Sequence, residues 1–331
     1  MAELITQRAS HLSGLSVFAD CFGADLYGLA ASLEPLHLDP GEVLMEQGDT
    51  SHFFAILADG SVAIRHEDGN GAAVEMVVPA GEIVGEIAML KNQPRVASVV
   101  ATTEVTGWRG GDDAFAELIQ LPGVLRNLVR TARQRLAAFL TPIPVRMRDG
   151  SEMQLRPALP GDKEMASHGH VQFSAETLYR RFMSFREPNQ QLMSYLFEVD
   201  YVDHFVWVIT AEDDEVVADA RFVRDESKGT TAEVAFIVAD AYQGRGVGSF
   251  LMKAVAIAAE VAGVEQFTAR VLSENLSMRR ILDGYGAHWE REDLGVVMTV
   301  LPVPERRRIK LPKDLADRIA GLARQAIKAV G

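Results

Sequence analysis

The sequence predicts two domains. The first is an N-terminal β-roll (jelly roll) with flanking helices, and the second is an α/β domain with a mixed sheet. Three observations carry this expectation. The 331 residues suffice for two separately cored units. Between residues 37 and 81, turn signals recur about every ten residues, the spacing of short antiparallel strands. Beyond residue 150, apolar strands alternate with helical stretches around a single glycine-rich loop.

Taken in order, residues 10–31 have helical spacing, broken by Gly14 and Gly23. Strands follow, separated by Pro40-Gly41, Gly48-Asp49, Asp59-Gly60, Asp68-Gly69-Asn70-Gly71 and Ala80-Gly81. Residues 112–140 return to helical periodicity, with Leu118, Leu121, Leu125, Leu128, Val129, Leu136 and Phe139 as the apolar stripe. Arg126, Arg130 and Arg133 are interleaved with it. The first domain is therefore expected over 1–141. Thr141-Pro142-Ile143-Pro144 opens a stiff linker, 142–150, because two prolines restrict the chain.

The second domain is expected over 151–304. Residues 153–157 form its first strand. A polar, mostly helical stretch spans 162–186, with Ser174 as helix N-cap. Strands 205–209 and 216–223 are joined by the acidic turn Glu212-Asp213-Asp214. Strand 233–238, the glycine loop, a helix over 249–262, strand 266–272, a helix over 275–282 and strand 296–301 follow. Residues 305–331 read as a basic tail with an amphipathic helix from about Pro312.

Composition sets limits on function. The chain is 48% hydrophobic and 24% charged, an ordinary globular balance. A net charge of −13 argues against general nucleic-acid binding. No apolar run reaches the ~18 residues of a membrane span, and residues 1–14 are too polar for a signal peptide, so a cytoplasmic location without membrane partners is expected. Cys21 is the sole cysteine, which leaves no internal disulfide framework and no cysteine-based metal cluster. It reads as a small buried hydrophobe, and no metal is expected.

Two stretches carry chemistry. In the first, strand 234–238 runs into Gln243-Gly244-Arg245-Gly246-Val247-Gly248-Ser249 and a helix. Strand, glycine turn and helix is a geometry that binds phosphate: glycines admit the ligand to the backbone, and free N–H groups at the helix start face the anion. The loop lacks the Gly-Lys-Ser/Thr ending of a Walker loop and the G-x-G-x-x-G spacing of a dinucleotide fold. A purely structural glycine turn stays open at this level. In the second stretch, Gly85-Glu86-Ile87-Ala88 turns into a short helix, and Arg95 follows Pro94. A guanidinium facing backbone N–H groups suits one phosphate, and Glu86 suits a hydroxyl. The alternative is a surface turn with an exposed Glu and Arg.

Wider context narrows both. Pro40-Gly41-Glu42, Gln47-Gly48-Asp49, strand 53–57 ending in Gly60, and the runs G-E-I-A (85–88) and P-R-V-A-S (94–98) together resemble the cyclic-nucleotide-binding domain family over roughly 18–140. The resemblance implies that Glu86 takes the ribose 2′-hydroxyl and that Arg95 neutralises the cyclic phosphate. The N–H groups of Ile87 and Ala88 would assist, and Gly85, Val96, Ala97 and Ser98 complete the pocket. Val96 stands where cGMP-selective members carry a hydroxyl, so the expected ligand is cAMP.

The run E-V-A-F-I-V (233–238), the loop, its helix and S-E-N-L-S-M-R-R (273–280) resemble the GNAT acetyltransferase family over about 153–301. That resemblance implies a GNAT fold that binds acetyl-CoA. Its pyrophosphate would rest on N–H groups from Arg245 to Ser249, in the loop of Gln243, Gly244, Gly246, Val247 and Gly248. Asn275 would contact the pantetheine end, and the backbone of Ile237 and Val238 the thioester oxygen. Glu233 is the candidate general base. Acyl transfer requires a neutral amine, and deprotonating a lysine at pH 7 costs about 4–5 kcal/mol. A carboxylate acting directly or through water offsets part of this. A solvated strand-end glutamate is the alternative for Glu233. The family tyrosine seven residues after the asparagine is Leu282 here, and Tyr285 is out of register, so no general acid is assigned.

Both resemblances in this order resemble the cyclic-nucleotide-regulated protein lysine acetyltransferases of mycobacteria. Residues 170–182 also resemble acetyltransferases that modify acyl-CoA synthetases. The implied activity is cAMP-regulated acetyl transfer from acetyl-CoA to a lysine on a protein, such as an acyl-CoA synthetase, controlled by relief of autoinhibition. The expected lid is 162–188, through His168 and His170, with the tail after 304 as the other candidate. A regulated small-amine acetyltransferase and a non-catalytic cAMP receptor that also binds CoA are the competing readings.

Overall fold

The computed structural model describes residues 2–68, 73–162, 173–184, 196, 199–211, 214–225 and 227–330. His168 and His170 lie outside the described residues, as do Gly69, Asn70, Gly71, Glu212 and Asp213. The chain divides into two compact units, Met1–Phe139 with Val330–Gly331, and Leu140–Ala329.

The first unit stacks two four-stranded antiparallel sheets. Its strands are β1 (Glu34–Leu38), β2 (Val43–Met45), β3 (Phe53–Asp59), β4 (Ser61–Glu67), β5 (Ala73–Pro79), β6 (Ile83–Val84), β7 (Ser98–Ala101) and β8 (Val105–Gly111). The sheet orders are β1-β8-β3-β6 and β2-β7-β4-β5. Strand β3 shows why the sequence folds this way. Ala55 and Leu57 face the space between the sheets, while Phe54 and Ile56 face a helical layer, so the strand is a continuous apolar run. That layer comprises α1 (Ala2–Ser13), α2 (Tyr27–Ser32), α4 (Asp112–Leu118) and α5 (Val124–Ala138). The short α3 (Glu86–Lys91) follows β6. The helix expected over 112–140 breaks at Gly123, whose φ is +74° and where a Cβ would meet the Asp20 carboxylate at 2.2 Å.

The second unit is one eight-stranded sheet in the order β15-β16-β14-β13-β12-β11-β10-β9. The strands are β9 (Ile143–Arg146), β10 (Glu152–Pro157), β11 (His204–Thr210), β12 (Val216–Asp225), β13 (Lys228–Val238), β14 (Gln266–Leu272), β15 (Glu290–Asp293) and β16 (Val296–Pro302). Among the described residues every pairing is antiparallel except β13 with β14. Its described helices are α6 (Ala175–Phe182), α7 (Val247–Val261), α8 (Leu276–Asp283) and α9 (Lys313–Ile327). Among the described residues, no helix is long and apolar enough to cross a membrane.

Two expectations change. Residues 142–150 are not a linker: β9 pairs with β10, with Ile143 opposite Leu155, and Ile143 and Val145 are buried. Strand β9 is a sheet edge, where Pro144 costs no ladder bond. The amphipathic helix expected from about Pro312 is α9. Ala316, Ile319, Ala320 and Ala323 of α9 are buried, and α9 packs on α7. Finally, Glu233 lies mid-strand and not at a strand end. The polar residues 228–231 continue β13 and close a long hairpin with β12, in which Lys228 pairs with Asp225 and Glu233 with Val223.

Candidate functional sites

The parallel seam between β13 and β14 is short. Thr231 pairs with Gln266, Ala232 with Phe267 and Glu233 with Thr268; there the strands part. Beyond this last rung the backbone of 234–238 faces a gap, and the gap opens into a cavity of about 440 Å³. Glu233, Ile237, Val238, Gln243, Gly244, Gly246, Val247, Gly248, Ser249 and Asn275 all line it. Arg245 is the exception: its guanidinium lies over the Tyr242 ring, 4.9 Å from the centroid, and 3.6 Å from Asp149. Gly244 and Gly246 hold φ values of +76° and +94°, which L side chains rarely adopt. They turn the chain into α7, whose first-turn N–H groups have no helical partner. Gly248 permits close packing, since a Cβ there would sit 3.1 Å from Ile281 Cδ1.

The Glu233 side chain is 46% exposed, and its Oε2 accepts from Arg270 Nη1 at 3.1 Å. Arg270 also donates through Nε to Glu292 at 2.8 Å, and this hydrogen bond raises the guanidinium above its ordinary value. Asn275 Oδ1 accepts from Met278 N at 3.1 Å, capping α8. Leu282 is fully buried. Tyr285 is not among the cavity's lining residues, and burial pushes its phenol up.

Helix α6 forms the opposite wall. Its N-cap is Ser174, as the sequence predicts, and the Ser174 hydroxyl accepts from Thr177 N. Asp240 clasps this end. Its carboxylate accepts from Ser174 N at 2.8 Å, Ser174 Oγ at 2.8 Å and Thr177 Oγ1 at 2.9 Å. Partial burial opposes ionisation of Asp240, but these hydrogen bonds outweigh it and hold the carboxyl below its ordinary value. Gln243 Nε2 bridges Thr177 Oγ1 at 3.0 Å and the Val238 carbonyl at 3.1 Å, joining the clasp to the glycine loop. Three residues near the end of α6, Arg180, Arg181 and Met183, line the cavity. Burial, then the nearby Arg221, lowers the Arg181 guanidinium to about 10, against Asp219 and Glu233.

In the first unit, Gly85 (φ +85°) starts α3, and a Cβ there would meet Met45 Cε at 2.6 Å and Arg95 Nη1 at 2.8 Å. Glu86 is 1% exposed and Arg95 is 4% exposed, which removes the surface-turn alternative. Arg95 donates to the carbonyls of Gly85 at 2.8 Å and Phe53 at 2.5 Å, and its guanidinium lies 4.9 Å from the Phe53 ring centroid. Burial lowers it from its ordinary value, against Glu86 and Asp49. Glu86 Oε1 accepts from Arg135 Nη1 of α5 at 2.7 Å. Ile87, Ala88 and Ala97 are buried, and Val96 and Ser98 half-buried. The Val96 carbonyl bonds His66 Nδ1 at 2.6 Å, and the His66 ring stacks on Phe139 at 4.6 Å between centroids. Ser98 Oγ accepts from Gln47 N at 3.0 Å.

Comparison with known proteins matches this division. Residues 35–121 match the cyclic nucleotide-binding domain, and residues 175–285 match the acetyltransferase (GNAT) family. Acetyltransferase Pat of Mycolicibacterium smegmatis is 50% identical over 331 residues, covering 100% of this chain and 99% of that protein. The chain belongs to the Pat acetyltransferase family. A solved structure, the cAMP-binding acyltransferase from Mycobacterium smegmatis, is 46% identical over 100% of both chains, with a TM-score of 0.54. A cAMP-dependent protein kinase regulatory subunit of Hypocrea atroviridis is 32% identical over 105 residues, 32% of this chain and 21% of that protein. The chain is thus a GNAT-type acetyltransferase that carries a cyclic nucleotide-binding domain.

Sequence reasoning missed several residues of these sites. Arg270 was legible, because period-two alternation along β14 puts it on the face of Thr268, the rung partner of Glu233. Arg135 also left a signal. It lies seven residues after Leu128 and three after Ala132, on a buried stripe, and a cation there calls for a buried partner. Asp240 and Thr177 left none, because their contact joins residues 63 apart in sequence.

Proposed function

We propose that this protein transfers the acetyl group of acetyl-CoA to a lysine side chain on a protein, under the control of cAMP. The supporting observation is the position of Glu233 on the last rung before β13 and β14 part, in one cavity with the glycine loop. A thioester laid in the gap meets the backbone of Ile237 and Val238, while the loop N–H groups face its pyrophosphate. The amine enters past α6, and Glu233 takes its proton directly or through one water. The leaving thiolate takes its proton from solvent, since the family tyrosine position is Leu282. Asn275 supplies its amide nitrogen toward the pantetheine arm, its oxygen being used by α8. In the first unit, Glu86 receives the ribose hydroxyl and Arg95 the cyclic phosphate. An acyl-CoA synthetase is the proposed acceptor class. The proposed control is relief of autoinhibition by 162–188, whose His168 and His170 lie outside the described residues.

The test is mass spectrometry of an acyl-CoA synthetase after incubation with acetyl-CoA, with and without cAMP. Lysine acetylation that depends on cAMP is expected. Glu233→Gln is expected to lower turnover by about 10²–10⁴-fold while acetyl-CoA binding by calorimetry is retained. Acetylation of free amines alone would overturn the protein-acceptor reading.

A further inference from the structure

The cavity carries an excess of positive charge. Arg148, Arg180, Arg181, Arg270 and Arg280 line it, and among the described residues Glu233 is the one carboxylate that does. Arg270 is bonded to Glu233 and Glu292, Arg180 is paired with Glu176, and Arg181 is half-buried on α6. The guanidiniums of Arg148 and Arg280 have no ion-pair or hydrogen-bond partner among the described residues. Of these two, Arg148 touches the glycine loop directly. It comes from the edge hairpin, where Met147-Arg148-Asp149-Gly150-Ser151 joins β9 to β10, and Asp-Gly is a strong turn signal. Met147 N donates to the Ser151 carbonyl at 2.9 Å and Gly150 N to the Met147 carbonyl at 3.1 Å, so Arg148 stands on a closed turn. Arg148 N donates to the Arg245 carbonyl at 3.2 Å, which ties that turn to the loop. A Cβ on Gly246 would lie 3.4 Å from Arg148 Cβ and 3.8 Å from its Nε, so the side chain runs along the loop surface. The neighbouring Asp149 is engaged elsewhere. Its Oδ1 accepts from Ser151 N at 3.1 Å and Ser151 Oγ at 2.6 Å, and its Oδ2 lies 3.6 Å from Arg245 Nη1. Arg245, the loop's own cation, is thus paired, lies over Tyr242 and does not line the cavity.

We propose that Arg148 binds a phosphate of the acyl donor, supplying from the edge hairpin the cation that Arg245 does not present. This rests on the reading above, in which the loop N–H groups face the pyrophosphate of acetyl-CoA. Those N–H groups carry only partial charge, whereas a guanidinium brings a full charge and two parallel donors that match a phosphate. The donor offers two phosphate sources, the pyrophosphate itself and the ribose 3′-phosphate, which share this chemistry. The hairpin lies outside residues 175–285, the stretch that matches the GNAT family. The contact therefore belongs to the added edge strand and not to the glycine loop. It is present before and during acyl transfer alike, so it strengthens donor binding without favouring the transition state over the ground state.

The experiment is calorimetry of CoA and of dephospho-CoA, which lacks the 3′-phosphate, on the full-length wild type, Arg148→Met and Arg148→Lys. Arg148→Met is expected to bind CoA about tenfold more weakly, the low end for a charge-assisted bond at an exposed site. In turnover the loss falls on KM for acetyl-CoA rather than on kcat. Arg148→Lys is expected to recover part of the affinity, as a point charge without the fork. If the ribose phosphate is the partner, wild type and Arg148→Met bind dephospho-CoA equally. If the pyrophosphate is the partner, the difference persists on dephospho-CoA and disappears in kcat/KM for acetyl-pantetheine, which has no phosphate. Equal CoA affinities of wild type and Arg148→Met overturn the proposal, as does a loss that persists on acetyl-pantetheine or falls on kcat with CoA affinity intact. Arg148→Gln takes the place of Arg148→Met if that variant does not fold. The binding measurement needs no acceptor, so a wild type that binds CoA but acetylates only free amines fails the protein-acceptor reading alone. A wild type that does not bind CoA overturns both.

Discussion

Arg135 holds a buried carboxylate in place from across the fold. It reaches from α5 to Glu86 at 2.7 Å and to the Ile83 carbonyl at 2.5 Å, and both side chains of the pair are almost fully buried. Removing one partner of such a pair strands a charge, a loss of about 3–5 kcal/mol. Arg135→Met should therefore lower the stability of the first unit by that order in denaturant unfolding and weaken cyclic nucleotide binding. The double variant Glu86→Gln with Arg135→Met should recover part of the stability but not the binding. Glu86 and Arg95 were legible from a local motif. Their pairing with Arg135 and Phe53 was not, because each partner lies more than forty residues away in sequence.

At the scale of elements, α6 is short and depends on its clasp. Asp240→Asn weakens charge-assisted bonds at an exposed site, so a loss of about 1 kcal/mol is expected, or ~5-fold more opening of α6. Hydrogen exchange over 175–182 measures this, with turnover falling in parallel. Its pH dependence follows from the depressed carboxyl of Asp240. The stabilisation is complete above the ordinary aspartate value of about 3.9 and is lost as pH falls through the lower folded value. Alternation and glycine punctuation made most strands and α7 readable in the sequence. The seam between β13 and β14 was not readable, since nothing in the composition of either strand says after how many rungs they part. The proline pair misled for a similar reason: Pro144 excludes a central strand but not an edge strand. The basic residues Arg306, Arg307, Arg308 and Lys310 precede the amphipathic helix legible from Pro312. The small apolar stripe of α9 behind them, Ala316, Ile319, Ala320 and Ala323, needs burial and finds it on α7.

For the whole molecule, regulation is a coupling free energy and is reciprocal. If cAMP tightens acetyl-CoA binding by some factor, acetyl-CoA must tighten cAMP binding by the same factor, expected at about 5- to 150-fold for a coupling of 1–3 kcal/mol. Paired titrations by calorimetry check this. Equal cAMP affinities with and without acetyl-CoA would leave control to the acceptor side alone.

The packing of α9 on α7 also fixes an order of events during synthesis. All of the nucleotide-binding unit but Val330 and Gly331 is made by Phe139, whereas the transferase unit runs on to Ala329 and lacks a cover for α7 until its last helix is made. At translation rates of ~5–20 residues per second, the interval is roughly ten to forty seconds. A nascent chain can thus sample the cell's cyclic nucleotide before it owns an active site. A chain that ends before α9 is expected to bind cyclic nucleotide without transferring acetyl groups, which calorimetry and a turnover assay on that truncation would check.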